Sequence, residues 1–262
     1  MRVPVVALAL VAVLAFGANA STLLLKDAAL NSVKGYANLK AYLKDATEVT
    51  TSLTGASLTG ATALVVDAGS AASNVIKMSV GDAAFAGFYS AVTAWVKEDG
   101  GNLILADGGA GGWLPVISKI VGKAQNCTGV EFDVPKNTFA RRVSKGPFAE
   151  IDTWRKVRTT EVPAGLKCSP GNGRTVLSTR PFTNAVSVVH AWAVGRGTIV
   201  YFGNTFEGKT VRAQFTDVLD IAIAIPAPKP TPSPEDAPPP VEAPPPMEDA
   251  APPPKKKGNG RH

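Results

Sequence analysis

NLILADGGAGGWLP, residues 102–115, begins as an apolar run, passes through a glycine-rich bend and continues as apolar residues at helical spacing. A continuous apolar run that stops at a turn is the pattern of a strand covered on both faces. Such strands belong to parallel sheets sandwiched between helices, and the ligands of those sheets sit past the carboxyl ends of the strands. Many α/β enzymes hold a nucleophile at a bend of this kind. Here the bend holds Asp107, Gly108 and Gly109, with no serine or cysteine.

The same alternation extends outward in both directions. Upstream, TLLLK (22–26) reads as a short strand. LNSVKGYANLKAYLKDA then spaces Leu30, Val33, Tyr36, Leu39 and Leu43 as one helical face. TEVTTSL is a short β-branched strand, and GATALVVDAG is a second fully apolar strand that ends at Asp67. DAAFAGFYSAVTAWVKEDGG predicts a helix with Phe85, Phe88, Val92, Trp95 and Val96 inward, stopped by Gly100-Gly101. Downstream, GWLPVISKIVG predicts a helix that tolerates Pro115 in its first turn, and GVEFDVP the next strand. NAVSVVHAWAVGRGTIVYFGN reads as an antiparallel hairpin around Gly195-Arg196-Gly197. EGKTVRAQFTDVLDIAIA reads as a closing helix with Val211, Phe215, Val218, Leu219 and Ala222 inward. Strands and helices alternating at this spacing predict an α/β fold, a mostly parallel sheet with helices on both faces. Residues 136–180 break the rhythm and read as a β-rich loop or hairpin insertion.

Both ends differ from this middle. MRVPVVALALVAVLAFGANA has one basic residue, an apolar run and small residues up to Ala20, the layout of a secretory signal peptide over residues 1–20. Its apolar run is short for a membrane span, so no membrane association is expected after cleavage. Residues 226–262 hold fourteen of the 21 prolines and read as a disordered, extended spacer. Their composition is similar to the proline-rich tails of algal and plant wall glycoproteins. The globular domain is thereby expected over residues 21–225, enough for one buried core.

Cys127 and Cys168 both fall in this domain. In an oxidising compartment they are expected to pair. No CxxC motif and almost no histidine are present, so neither a metal site nor a bound cofactor is expected. Charge is concentrated: residues 136–180 hold ten Lys or Arg against three acids. Arg141, Arg142, Lys145, Arg155, Lys156 and Arg158 form the densest part, a candidate surface for an anionic partner such as an acidic polysaccharide or cell-wall component. The competing reading is an ordinary solvated loop. No aromatic-interleaved motif suggests nucleic acid, and nothing in the pattern sets an oligomeric state.

WVKEDGGNLILADGG, then GWLPVISKIVG, then HAWAVGRGTIVYFGN before a terminal helix, resembles the class I glutamine amidotransferase-like superfamily. Within it the pattern is similar to branches that are not amidotransferases, including trehalose-utilisation-type domains. The resemblance covers residues 22–224, with 136–180 matching poorly, and implies a flavodoxin-like fold. In amidotransferases the turn after this strand carries the nucleophilic cysteine, and a histidine and glutamate follow late in the chain. This sequence has Asp107-Gly108-Gly109 at that turn, and its histidines outside the tail reduce to His190. Cysteine-dependent amide hydrolysis is therefore not expected.

Asp67, Asp107, Gly108 and Gly109 remain the candidate ligand-binding residues. Two acids at neighbouring strand ends suit a cation, a shared proton or sugar hydroxyls, while the glycine amides at a helix start suit an anion. The alternative is that Asp107 caps the helix or ties the loop and the glycines supply positive φ. His190 is a weak catalytic candidate, since a lone strand histidine is more often a satisfied core residue. The expected function is a secreted, non-catalytic module that engages wall or matrix glycans. A sugar hydrolase working through Asp67 and Asp107 and a structural wall protein dominated by its tail are the alternatives.

Overall fold

The computed structural model describes residues 21–69, 80–132, 136–151, 155–158, 162–179, 185–208 and 213–227. The chain divides into two units, Met1–Pro228 and Lys229–His262. The signal-peptide and proline-tail readings lie outside the described residues.

Strands β1 (Ser21–Leu25), β2 (Thr47–Val49), β3 (Ala61–Ala68), β4 (Asn102–Asp107) and β11 (Gly197–Phe202) form the parallel part of one sheet, in the order β2-β1-β3-β4-β11. From β11 the sheet continues antiparallel through β10 (Ser187–Val194), β9 (Arg174–Thr179), β6 (Lys136–Arg141) and β7 (Arg155–Arg158). A ribbon of β5 (Cys127–Glu131) and β8 (Ala164–Cys168) stands off this path, and β8 touches β10 through Leu166 and Ser187. The fold is flavodoxin-like α/β, with a parallel centre and an antiparallel flank.

Helices cover both faces of the parallel part. α3 (Ala86–Ala94) and α4 (Leu114–Val121) pack Tyr89, Val92, Val116, Ile117 and Ile120 onto the face bearing Leu64, Leu103 and Leu105. α1 (Val33–Tyr42) and α5 (Ala213–Ile223) pack Leu39, Phe215, Val218 and Leu219 onto the face bearing Val65, Ile104 and Val200. Every residue of β4 is buried, as a strand with helices on both sides requires. α2 is a single turn, Gly55–Leu58.

Local chemistry accounts for the helix ends. Ser32 caps α1, its Oγ accepting from Gly35 N at 2.9 Å. This start leaves Val33 88 % exposed, so the expectation that it faces inward fails, and the apolar face is carried by Tyr36, Leu39 and Leu43. α3 ends in a wider π turn, Trp95–Asp99, closed by Gly100 in the left-handed region at φ 83°. Tyr89 takes the core position, while Phe85 and Phe88, expected inward, are half-buried beside it.

The segment GVEFDVP also departs from expectation. Its strand starts at Cys127 and pairs antiparallel with β8 instead of extending the parallel sheet. β5 is mostly exposed, whereas the place beside β4 is taken by β11, whose GTIVYF is buried along nearly its whole length. Only an apolar strand can occupy a slot covered on both faces. The glycine turn at residues 195–197 closes the β10–β11 hairpin, with Val194 opposite Gly197. Val211, expected inward on the closing helix, lies outside the described residues.

Candidate functional site

The two acids lie at the carboxyl ends of adjacent parallel strands. Asp67 stands beside Ala106, and Ala68 beside Asp107, so the acids are diagonal neighbours at positions of opposite parity. Both are buried, at 0 % and 2 % exposure.

Asp67 belongs to the α1 side. Its Oδ2 accepts from Ser32 N and Ser32 Oγ, each at 3.2 Å, and its backbone carbonyl accepts from Asn31 Nδ2 at 2.7 Å. α1 reaches this depth because Gly35 has no side chain. A Cβ there would lie 3.0 Å from Asp67 Oδ1 and would overlap the Thr205 carbonyl. Asp67 Oδ1 has no hydrogen-bond partner. Burial, and then the charge of Asp107, push the Asp67 carboxyl up to about 8, so it keeps its proton at neutral pH.

Asp107 is one of two non-glycine residues with positive φ, at 56°, among the described residues. Aspartate tolerates this conformation because its short side chain bonds its own loop. Asp107 Oδ1 accepts from Gly109 N at 3.2 Å. Gly108 follows at φ 78°, and its N–H donates to the Ala68 carbonyl at 3.1 Å, which stitches the bend to β3. Trp113 folds back over the strand end, its Nε1 donating to the Ala106 carbonyl at 3.1 Å. The bare face of Gly108 accommodates this indole: a Cβ would lie 2.7 Å from Trp113 Nε1.

α4 begins only at Leu114, with Trp113 as its cap residue. Gly108 and Gly109 thus lie upstream of the helix start, which Gly111 and Gly112 of the same glycine run adjoin. Of the readings left open for Asp107, the loop tie is the one the geometry displays.

The bend is also covered from outside. Gly129 of β5 packs against the backbone of Ala110 and Gly111, so closely that a Cβ would overlap both. Gly203, just past β11, packs in the same manner on the Ala164 carbonyl at the start of β8. Beneath this ribbon lies Tyr201, whose hydroxyl is buried without a hydrogen-bond partner and stands 3.3 Å from where a Gly203 Cβ would be. Burial, and then the Asp107 charge, raise its pKa further above the ordinary tyrosine value. A nearby apolar cavity, lined by Leu25, Val66, Tyr89, Leu105 and Trp113 among others, measures about 20 Å³, room for about one water.

His190 stands apart on β10, two strands from β4. It is 2 % exposed, its Nε2 donates to the Asn172 carbonyl at 2.8 Å, and its Nδ1 lies 3.2 Å from Ser187 Oγ. Burial lowers its pKa to about 4, only partly offset by the Asn172 carbonyl, so the ring is neutral. Among the described residues no group of three or more His, Cys, Asp or Glu is placed to hold a metal ion.

The basic residues fall on the two outermost strands of the antiparallel flank and on the segment that follows β6. Arg141 ends β6 half-buried, and Arg142 and Lys145 in the turn beyond are exposed. β7 is the terminal strand of the sheet, and its register sets Arg155 opposite Phe139, Lys156 opposite Thr138 and Arg158 opposite Lys136. Cys127 and Cys168 are disulfide-bonded directly across the β5–β8 ribbon, and the loop they close contains β6 and β7.

Sequence reasoning located Asp67 and Asp107 but not Ser32, Gly35, Trp113, Gly129 or Tyr201, which enclose them. Ser32 carried a legible signal, a hydroxyl residue before an apolar-periodic run. Trp113 and Gly129 carried none, because their roles depend on contacts between separate elements.

A parallel sheet flanked by helices on both faces, with a left-handed bend at the end of a central strand, defines the class of this protein as an α/β fold. No family model and no curated protein matches the sequence. Solved structures similar to the chain include a β-galactosidase from Bacillus circulans sp. alkalophilus, at 12 % identity and TM-score 0.50, covering 79 % of this chain and 30 % of that one. They also include a glutamine amidotransferase at 14 % identity and TM-score 0.47, covering 77 % and 98 %. A glutamine amidotransferase from Thermotoga maritima matches at 8 % identity and TM-score 0.42, covering 70 % and 74 %. The chain spans under a third of the length of the β-galactosidase. At these identities it is the fold alone that is shared.

Proposed function

We propose that the protein is a secreted, non-catalytic recognition module that engages acidic glycans of a wall or matrix through the basic edge of its sheet. The observation that carries this reading is the placement of cationic residues at the β6–β7 edge. The register sets two of them directly opposite each other, Lys136 and Arg158. A run of cationic residues on neighbouring strands suits an anionic partner. The strand-end bend gives little support to a hydrolase reading, because both acids are buried and one oxygen of Asp107 is held by its own loop. The leader-like residues 1–20 and the disulfide are compatible with export, and the proline-rich residues 226–262 would act as the spacer.

The test is salt-dependent retention. The 262-residue chain should bind heparin or polygalacturonate resin at low ionic strength and elute steeply as salt rises. Replacing Arg141, Arg142, Lys145, Arg155, Lys156 and Arg158 by serine should abolish retention. Failure to bind at low salt, or unchanged binding by the serine variant, overturns the proposal.

A further inference from the structure

We propose that Asn126 is an N-glycosylation site, carrying one oligosaccharide where the chain enters the β5–β8 ribbon. The inference rests on the export half of the proposed function, because this modification belongs to secreted chains. Asn126-Cys127-Thr128 is an Asn-X-Thr triplet without proline at its centre. The other triplet of this kind, Asn19-Ala20-Ser21, spans the expected leader boundary, and cleavage after Ala20 would remove its asparagine. The triplet at Asn126 lies at the surface. Asn126 and Thr128 are exposed, while Cys127 between them is half-buried and packs on the core. An extended chain imposes this alternation, with residues two apart on one face. The backbone of Asn126 is fixed: its N–H donates to Asn172 Oδ1 at 3.0 Å, and its carbonyl accepts from Ser169 N at 2.9 Å. Its side-chain amide makes no hydrogen bond to a described residue. A fixed backbone beneath a free, exposed amide lets the folded domain carry a bulky polar group without repacking.

The chemistry is transfer of an oligosaccharide from a lipid pyrophosphate donor. Asn126 Nδ2 bonds to the anomeric carbon of the first sugar, and the bond from that carbon to the pyrophosphate oxygen breaks. The lipid pyrophosphate leaves, and one amide proton passes to a base of the transferase. The hydroxyl of the triplet must be free for this step. In the folded chain Thr128 Oγ1 donates to the Lys167 carbonyl at 3.5 Å, and Cys127 is bonded to Cys168. Both partners come later in the chain: Lys167 lies 39 residues beyond Thr128, and Cys168 lies 41 beyond Cys127. Synthesis runs from the N-terminus, so residues 126–128 reach the secretory compartment before the groups that close the ribbon. The central cysteine is therefore still a thiol when the triplet is presented.

Expression of the full chain with its own residues 1–20 in a eukaryotic secretory host tests this directly. Medium and cell extract are both treated with peptide:N-glycosidase F, so that a variant held back in the cell is still scored. The wild type should show one downward gel shift on treatment, and its peptide holding residue 126 should carry aspartate where asparagine stood. Asn126→Gln and Thr128→Ala should each abolish the shift, and Thr128→Ser should keep it. Secreted wild type with Asn126 unmodified overturns this inference alone and leaves retention on acidic resin as a separate question. A shift that persists in Asn126→Gln also overturns it, because the sugar would then sit elsewhere. A wild-type chain that is never exported overturns the secreted reading and this inference with it.

Discussion

Strands β3, β4 and β11 lie between helices, nearly every residue is buried, and their ladder is parallel. β6 and β7, four and five places from β4 in the same sheet, are antiparallel, and the terminal strand reads Arg-Lys-Val-Arg. The first region buries two carboxylates and holds one of them neutral; the second concentrates positive charge at an open edge. The difference shows one sheet serving two purposes. Where helices cover both faces, polar groups survive only if the fold satisfies or neutralises them. Where a strand ends the sheet, charge costs little and also discourages edge-to-edge pairing with another chain.

That contrast can be broken at its weakest assumption, that the flank is part of the same cooperative unit. Phe139 is fully buried on β6 and meets the Phe215 ring of α5 at 6.5 Å. Phe139→Ala should cost about 3–5 kcal/mol and shift the single denaturation transition of the whole domain. A separate early transition for the flank in urea, with the parallel core unmoved, would show two units instead of one.

The neutral acid gives the next largest effect. Because the folded Asp67 carboxyl holds its proton up to about 8 while the unfolded one releases it near the ordinary value of 3.8, the folded state binds more protons between those values. The Asp67 contribution is therefore highest on the acid side and falls as pH rises from about 4 to about 8. His190, held neutral down to about 4 against 6.5 when unfolded, adds the opposite slope below about 6.5, so the net fall shows between about 6.5 and 8. One carboxyl contributes a slope of about 1.4 kcal/mol per pH unit, or about 3 kcal/mol between roughly pH 5 and 7.5. Asp67→Asn should flatten that slope, as read by urea unfolding at the two pH values. A stability difference between wild type and Asp67→Asn that stays constant over this window would refute the buried neutral carboxyl.

A smaller effect is expected at the bend itself. Trp113→Phe keeps an aromatic ring but removes the donor to the Ala106 carbonyl and part of the buried indole. The expected loss is about 1–2 kcal/mol, measured by thermal unfolding. The smallest effect belongs to the basic edge: Arg142→Ser with Lys145→Ser, both exposed, should change stability by no more than about 0.5 kcal/mol while weakening retention on an acidic resin. A large stability loss there would make these residues structural and remove them from the proposed partner surface.

The two regions were also unequally legible. Apolar periodicity located β3, β4, α4 and the β10–β11 hairpin, because their residues meet covered faces at regular spacing. The turn at Gly195 and the stop at Gly100 were visible for the same local reason, since each needs a left-handed backbone. The flank was readable only as irregular β-rich sequence: its strands pair with partners far along the chain, as β6 does with β9, and pairing at that separation leaves no local mark. β5 was misplaced because an apolar-polar run of its length fits either an inner strand or an outlying ribbon.

At the candidate site the division is sharper. Local pattern was enough to put Asp67 and Asp107 at strand ends, to rule a cysteine out of the bend and to gather the cations in one stretch, since these are matters of residue type and period. Folding alone decided that the acids sit one register step apart, that Ser32 and Gly35 close over one of them, and that Trp113 and Gly129 close over the bend. Those outcomes depend on which backbones approach one another, and close approach is settled by packing among distant segments, not by the order of neighbours along the chain.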